Sequence, residues 1–292
     1  MRRATAVACL LLSAGTCFGG VNFYSYSKER ELGKELARDV EWQSRMIDDP
    51  IICEYVNRLG QNLANNSDAG FPVTVKVIRS PEVNAFALPG GYIFVNSGLI
   101  RAATTEAELA GALAHEIGHV AARHYTREQS LKELMSLAGI PLMVAGGTPG
   151  FAIAKGLEAA GPLVLLKYSR SSEKQADVLG VQYLYRAGYD PLALVDFLER
   201  VSVLEGSNPG AFARMFAMHP PAADRIRAIQ DEIGRNLSPR EQYEIQTSEF
   251  QAIQNRLASI ERGDYVPWRY PRSPSGPSDA RPVLRRTAAS RE

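Results

Sequence analysis

The sequence predicts a mainly α-helical fold with a small β-sheet, an α+β architecture. Several segments place apolar residues at helical spacing, whereas only three short segments show the alternation or β-branched composition of strands. The chain has 292 residues, a net charge of +1 and 45% hydrophobic residues, which is ordinary globular composition. Because no basic field accompanies this composition, we expect no nucleic-acid partner.

The first twenty residues have the pattern of a secretory signal peptide. Met1-Arg2-Arg3 is positively charged, residues 4–18 form a short uncharged apolar run, and two glycines follow it. We therefore expect residues 1–20 to direct export to the periplasm or cell envelope. Two alternatives stay open, namely lipid attachment at Cys17 and an uncleaved membrane anchor.

The elements before the central motif can be placed in order from their periodicity. Apolar spacing predicts two amphipathic helices, and alternation predicts a strand followed by two short strands around Pro89-Gly90-Gly91. The predicted helices cover 27–46 and 49–65, and the predicted strands cover 72–78, 84–88 and 92–96.

The second half of the chain reads as helical up to a tail of different composition. Helices are expected over 171–187, 191–204, 221–236 and 239–262. Residues 128–166 are small and apolar with glycine breaks, which predicts packed helices and a flexible loop, or else a hairpin making peripheral membrane contact. Residues 263–292 are rich in proline and arginine and are expected to be disordered. One domain is thus predicted over 21–262.

The motif His115-Glu116-Ile117-Gly118-His119 carries the strongest chemical signal. On a helix, two histidines four residues apart lie about 40° apart around the axis and roughly 6 Å apart along it, so both can reach one metal ion. Glu116 lies close to the same face, where it can take a proton from an attacking water. The pattern indicates zinc, one ion per chain.

The motif lies in a strongly predicted helix. Thr105 can cap its start, with Glu108 completing a capping box. An apolar stripe formed by Leu109, Leu113, Ile117 and Val120 predicts that one flank is buried. Gly118 indicates close approach of another backbone, or simple tolerance of glycine. His124, nine residues after His115 on the same helix, is expected to face away from the metal as a surface or structural histidine.

A catalytic zinc site needs a third protein ligand and one open position. Once His124 is set aside, His219 is the remaining histidine, and a carboxylate is the other option. Ser171 can cap a helix that carries Glu173 in its first turn and Asp177 one turn later on the same face. Asp177 could then hold the free ring nitrogen of a ligand histidine.

Four motifs appear in order along the chain and together carry a family resemblance. They are Asn84-Ala-Phe-Ala-Leu-Pro-Gly-Gly, the His115–His124 stretch, Glu173-x-x-x-Asp177, and Met218-His219-Pro220 followed by Arg225-Ile226. Over roughly residues 22–235 the chain resembles the gluzincin endopeptidases of the HtpX and CAAX prenyl endoprotease type, closest to their exported BepA-like branch. It lacks that branch's helical repeat domain and the clear membrane spans of HtpX.

The resemblance implies a zincin-type peptidase fold and assigns roles to individual residues. It implies zinc ligands His115, His119 and Glu173, with Glu116 as general base and Asp177 behind a ligand histidine. It also places His219 near the metal, where it would stabilise the transition state or occupy the open metal position at rest. A helix-capping role for His219 is the alternative.

The function expected from these residues is zinc-dependent hydrolysis of internal peptide bonds in unfolded or misfolded envelope proteins. Tyr92–Asn96 is predicted to be an edge strand that pairs with an extended polypeptide substrate, with Asn84, Tyr92 and Phe94 as substrate-binding residues. Such pairing recognises backbone, so sequence preference should be broad. The alternative is a chaperone-like or scaffold-like envelope protein with a latent zinc site closed by His219. The sequence does not specify an oligomeric state.

Overall fold

The computed structural model describes residues 21–145, 165, 169–205, 219 and 223–264. The predicted signal peptide and nearly all of the predicted tail lie outside these residues. So does most of the glycine-broken segment that was expected to form a loop or a membrane-contacting hairpin. Among the described helices, none combines the length and apolar character needed to cross a bilayer.

The described part of the chain is mainly helical with one small sheet, which confirms the predicted fold class. Its helices are α1 (Tyr26–Gln43), α2 (Pro50–Asn65), α3 (Ser97–Ala102), α4 (Glu106–Ala121), α5 (His124–Ala145), α6 (169–187), α7 (Leu192–Glu205), α8 (Ala223–Asn236) and α9 (Ser248–Arg262). The strands are β1 (Thr74–Ile78), β2 (Ala85–Leu88) and β3 (Tyr92–Asn96), with a short 3-10 turn at Pro89–Gly91 between β2 and β3.

The sheet has the order β1-β3-β2, so β3 is its central strand. β3 pairs in parallel with β1 and antiparallel with β2. The prediction that Tyr92–Asn96 forms the edge strand is therefore wrong. β2 is the edge strand that lies beside the motif helix. Between β2 and β3 the chain turns back at Gly90 and Gly91, both of which have positive φ.

Helix α4 is the centre of the domain and is buried along almost its whole length. Leu109, Leu113, Ile117 and Val120 all lie in the main core, as the apolar stripe predicted. Residues of the sheet, of α2 and of α6 to α9 complete the same core. A helix enclosed on most sides has little freedom to shift, because protein interiors are close-packed.

The backbones of α4 and α6 approach each other at two glycines. A Cβ at Gly118 would lie 2.8 Å from the carbonyl oxygen of Ala176, and one at Gly180 would lie 3.1 Å from the backbone nitrogen of His115. The contact at Gly118 leaves no room for a side chain and the one at Gly180 is tight, so Gly118 serves close approach rather than being merely tolerated. This approach brings the carboxylates of α6 against the histidines of α4.

Several predicted helix boundaries differ from the structure, and the first helix, predicted over 27–46, ends at Gln43. The final helix begins at Ser248, not at 239, because residues 237–247 are non-helical and Glu244 forms an isolated β-bridge with Tyr189. Thr247 caps the helix instead, accepting a hydrogen bond from the backbone of Phe250. Ser171 does not cap α6, which is already helical at 169, and α5 continues through the Gly139–Pro141 stretch that was predicted to break it.

Candidate metal centre

The motif helix begins with the predicted cap. Thr105 Oγ1 accepts a hydrogen bond from the backbone of Glu108 at 3.2 Å. The Glu108 carboxylate does not return to Thr105, as in a regular capping box, but accepts from the backbone and the hydroxyl of Thr104. Arg200 of α7 pairs with the same carboxylate. The start of α4 is thereby fixed by neighbours from two directions.

Four side chains converge where α4 meets α6. They are His115, His119, Glu173 and His219, and their candidate ligand atoms all lie within 4.8 Å of one another. His115 and His119 approach through Nε2 at 3.1 Å. The Glu173 carboxylate lies 3.5 Å from His115 Nε2 and 3.3 Å from His119 Nε2. The structure thus brings together the three residues predicted as zinc ligands.

The separations of these atoms fit tetrahedral zinc. Zinc bonds of 2.0–2.2 Å to nitrogen and oxygen place neighbouring ligand atoms about 3.3 Å apart. Five of the six pairs of ligand atoms lie 3.0 to 3.5 Å apart, including 3.3 Å from His115 Nε2 to His219 Nδ1 and 3.0 Å from His219 Nδ1 to Glu173, and all four atoms lie within 4.8 Å of one another. Two or three histidines with one carboxylate are also the donor types that zinc prefers.

His219 lies in the cluster, which agrees with its predicted proximity to the metal ligands. Its Nδ1 faces His115 and Glu173, while its Nε2 lies 3.4 Å from a carboxylate oxygen of Glu116. It therefore stands where a fourth ligand of a closed site would stand. The residues on either side of His219 lie outside the described part of the chain, so the predicted Met218-His219-Pro220 loop is not described.

Asp177 stands behind the first histidine, as predicted. Its Oδ1 lies 2.9 Å from His115 Nδ1, close enough to accept that ring proton. Arg225 of α8 donates to both oxygens of Asp177, at 2.7 and 2.8 Å, and its Nη1 lies 3.3 Å from Glu173. Aspartate and arginine are both buried, so each charge compensates the other away from water.

Glu116 is buried beside the edge strand. The backbone of Ala87 lies close enough to its carboxylate to favour the ionised form, against the effect of burial. On the side of β2 that faces β3, the backbone N–H of Asn96 donates to the carbonyl oxygen of Asn84. In an antiparallel pair, the main-chain N–H and C=O groups of alternate residues point towards the partner strand. Ala85 and Ala87 therefore direct their main-chain groups outward, towards the cleft. This cleft of about 180 Å³ is lined by His119, Glu173, His219 and β2, among others.

Two of the predicted substrate-binding residues lie on the central strand β3, and the third, Asn84, directly precedes the edge strand β2. Phe94 is fully buried and stacks on Phe86, and Asn84 is buried at the start of β2. Tyr92 lies on the central strand close to Gly33 of α1. Because β3 is paired on both sides and the outer side of β1 bonds to the backbone of residues 45–47, β2 is the strand that can pair with a further strand.

His124 does not face away from the metal centre, so that prediction is wrong. Helix α4 ends at Ala121, Arg123 takes a positive φ of 54°, and α5 starts at His124. This break resets the helical phase and buries His124 against His119, with 3.0 Å between their Nδ1 atoms. His124 Nε2 lies 3.1 Å from Gln175 Oε1 of α6. The expectation that His124 is not a ligand agrees with this placement.

Burial and charge set the protonation preferences of the cluster. Burial lowers the pKa of His119 to about 3 and that of His124 to about 4. Burial also opposes a charged His115, yet contacts with Asp177 and Glu173 outweigh it and raise its pKa to about 10. Burial would raise the pKa of Glu173, but hydrogen bonds from three histidines hold it well below its ordinary range. Burial raises the pKa of Glu116, which suits a proton acceptor.

Sequence reasoning assigned no role to Arg225 or Gln175. Arg225 was noted only as part of the fourth motif, and its position 48 residues after Asp177 gives no sign of a bidentate pair. Gln175 lies between Glu173 and Asp177 on α6, but on an exposed side of that helix. Its contact becomes visible only once the start of α5 is known.

Comparison with known proteins agrees with this centre. The model of peptidase family M48 matches residues 52–233, which includes every residue of the cluster. A beta-barrel assembly-enhancing protease of Yersinia pestis is 32% identical over 201 residues, covering 66% of this chain and 41% of that protein.

Two relatives from Escherichia coli are covered more completely. The metalloprotease LoiP is 31% identical over 220 residues, covering 74% of this chain and 86% of LoiP. The metalloprotease YcaL is 32% identical over 177 residues, covering 60% and 68%. In contrast, the chain spans only about two fifths of the length of the assembly-enhancing proteases it matches.

Proposed function

Since the chain belongs to peptidase family M48, we propose that it is a zinc-dependent endopeptidase that hydrolyses unfolded or misfolded proteins of the cell envelope. The observation that carries the proposal is the close spacing of His115, His119 and Glu173 beside a buried Glu116 and the strand β2, whose outer side pairs with no other strand among the described residues. The name of the beta-barrel assembly-enhancing protease supports the envelope setting, and the names of the two metalloproteases support metal-dependent proteolysis.

The residues divide the chemical work between them. His115, His119 and Glu173 would hold zinc, which polarises a scissile carbonyl and makes water a stronger nucleophile. Glu116 is placed to accept the proton of the attacking water and to return it to the leaving amine. Its raised pKa brings it closer to the working pH, which favours both transfers.

The edge strand β2 supplies a means of holding an extended chain. Ala85 and the carbonyl of Ala87 direct main-chain groups outward, where a substrate strand can add to the sheet. Folded proteins rarely present a free extended segment, so this mode favours unfolded substrates. A small recess of about 30 Å³ lies next to Glu116 and His219 and is lined by Leu194, Phe197 and Leu198.

A second function, a latent zinc protein of scaffold or chaperone type, is favoured by the position of His219. A structural zinc site has four protein ligands, whereas a catalytic site keeps one position open. With His219 Nδ1 among the ligand atoms, the four-ligand arrangement is closed. Endopeptidase activity therefore requires His219 to leave the cluster when substrate binds.

Cleavage of casein by the purified full-length chain, with and without a chelator, separates the two functions. The wild type should cleave internal bonds and lose activity on chelation, and Glu116→Gln should be inactive while retaining zinc. Glu241→Gln, a change at an exposed carboxylate outside the cluster, is the matched control and should behave as wild type. A wild type that binds zinc but leaves unfolded casein intact would favour the latent protein.

A further inference from the structure

The two motif histidines differ in what supports their outer ring nitrogens. His115 Nδ1 faces the buried Asp177–Arg225 ion pair. His119 Nδ1 instead faces His124, with the two rings nearly perpendicular at 74° and their centroids 4.9 Å apart. His124 in turn contacts Gln175. One ligand thus has a charged partner and the other a neutral one.

The hydrogen-bond network determines which nitrogens carry protons. His119 Nε2 faces His115 and Glu173, so it must present a lone pair if it binds a cation. A neutral imidazole carries one proton, which is then on Nδ1. His124 Nδ1 must accept this proton, which places the His124 proton on Nε2. There it can be donated to Gln175 Oε1, an atom that only accepts.

We propose that His124 is the positioning residue for His119: it fixes the ring orientation and tautomer of this ligand and thereby sets zinc affinity. His124 does not touch the metal, because its Nδ1 faces the outer nitrogen of His119 rather than the ligand cluster. The proposal rests on the zinc-site part of the proposed function and is independent of the substrate.

His124 and Gln175 should contribute unequally to zinc affinity. His124 is buried, so replacing it with an apolar side chain leaves the Nδ1 proton of His119 without an acceptor, and an unsatisfied buried donor is destabilising. Gln175 is exposed, so water can replace its amide oxygen. His124 should therefore matter much more than Gln175.

Zinc affinity measured by competition with a chromophoric chelator tests the proposal on the full-length chain. His124→Leu has similar bulk but no acceptor and should weaken zinc binding about 10–100-fold, the usual cost of losing such a partner. His124→Asn is the matched variant, because its side-chain oxygen takes the place of Nδ1. It should restore affinity to within a few-fold of wild type, as should Gln175→Ala. A folded His124→Leu variant with wild-type affinity would overturn the proposal.

A second measurement uses the wild type alone and remains decisive if His124→Leu fails to fold. The chain has four histidines, all of them in this region, so long-range ¹⁵N–¹H spectra of the zinc-loaded protein contain few ring signals. His124 should carry its proton on Nε2 and His119 on Nδ1. A proton on His124 Nδ1 would overturn the relay but leave the proposed function standing. A wild type that binds no zinc would overturn both.

Discussion

Arg225→Gln tests whether helix α8 stabilises the site through the ion pair between Arg225 and Asp177. Arg225 is 4% exposed and donates to both oxygens of Asp177, which is itself fully buried. Glutamine keeps polarity but removes the charge and the two-pronged geometry. Asp177 then remains ionised in the core with only His115 beside it.

The expected cost follows from the general behaviour of buried ion pairs. Removing one partner of such a pair costs about 3–5 kcal/mol when the remaining charge is left uncompensated. In the metal-free chain His115, whose pKa is raised to about 10, still compensates part of the Asp177 charge, so a cost at or below the lower end is expected. For a domain of this size each kcal/mol lowers Tm by about 2–4 °C, so the fall should be about 6–12 °C at most. The double variant Asp177→Asn/Arg225→Gln should recover part of the loss, since no buried charge is then left alone.

Thermal unfolding of the chelator-treated full-length chain is the appropriate assay, because bound zinc would add its own stabilisation. Circular dichroism at the helical band gives Tm for the wild type, both single variants and the double variant. Arg235→Gln is the matched control, since its pair with Asp231 is exposed on the same helix. An Arg225→Gln variant that melts within about 2 °C of wild type, well below the shift expected for a buried pair, would refute the reasoning.

Four further results are expected. Glu173→Ala should lose zinc on dialysis against a chelator far more readily than Glu241→Ala, because only the former touches both motif histidines. His219→Ala should raise casein cleavage if His219 closes the site and lower it if His219 assists the transition state; an unchanged rate would leave only the capping role. The acid limb of kcat/KM should have its midpoint above 4.5, because burial raises the pKa of Glu116. Asp177 has its pKa lowered to about 2 from 3.8, so its contribution of about 2 kcal/mol is present above pH 4 and lost as pH falls towards 2. Urea midpoints of the chelated protein should show this loss, and Asp177→Asn should flatten it.

The part of the site that sequence reasoning found is the part governed by helical spacing. His115, Glu116 and His119 share one face of one helix, and Glu173 and Asp177 share a face of another. Within a continuous helix, angle and rise are fixed, so mutual reach follows from residue numbers alone. Residue spacing does not predict that these two helices lie against each other, although Gly118 indicates where another backbone approaches.

The edge strand shows a limit of a different kind. Both strands of the hairpin have suitable composition, and their pairing with each other is indicated by the glycine turn. Which of them becomes the edge depends on β1, a strand that precedes them and pairs in parallel with β3. That choice is made by tertiary packing of the preceding helices and sheet, so local sequence does not specify it.

The predicted orientation of His124 is wrong because of the backbone conformation of one residue, Arg123. Nine residues of continuous helix would turn it about 180° from His115, which predicts a side chain on the far face. The positive φ of Arg123 ends that helix and starts another, so the angular count no longer applies. Arg123 is held there by an ion pair to the buried Glu29 of α1 and by a hydrogen bond to the backbone of Tyr24. The orientation of His124 against His119 therefore depends on a contact made almost a hundred residues earlier in the chain. Substituting Glu29 should accordingly perturb zinc affinity through His124, although Glu29 touches neither histidine.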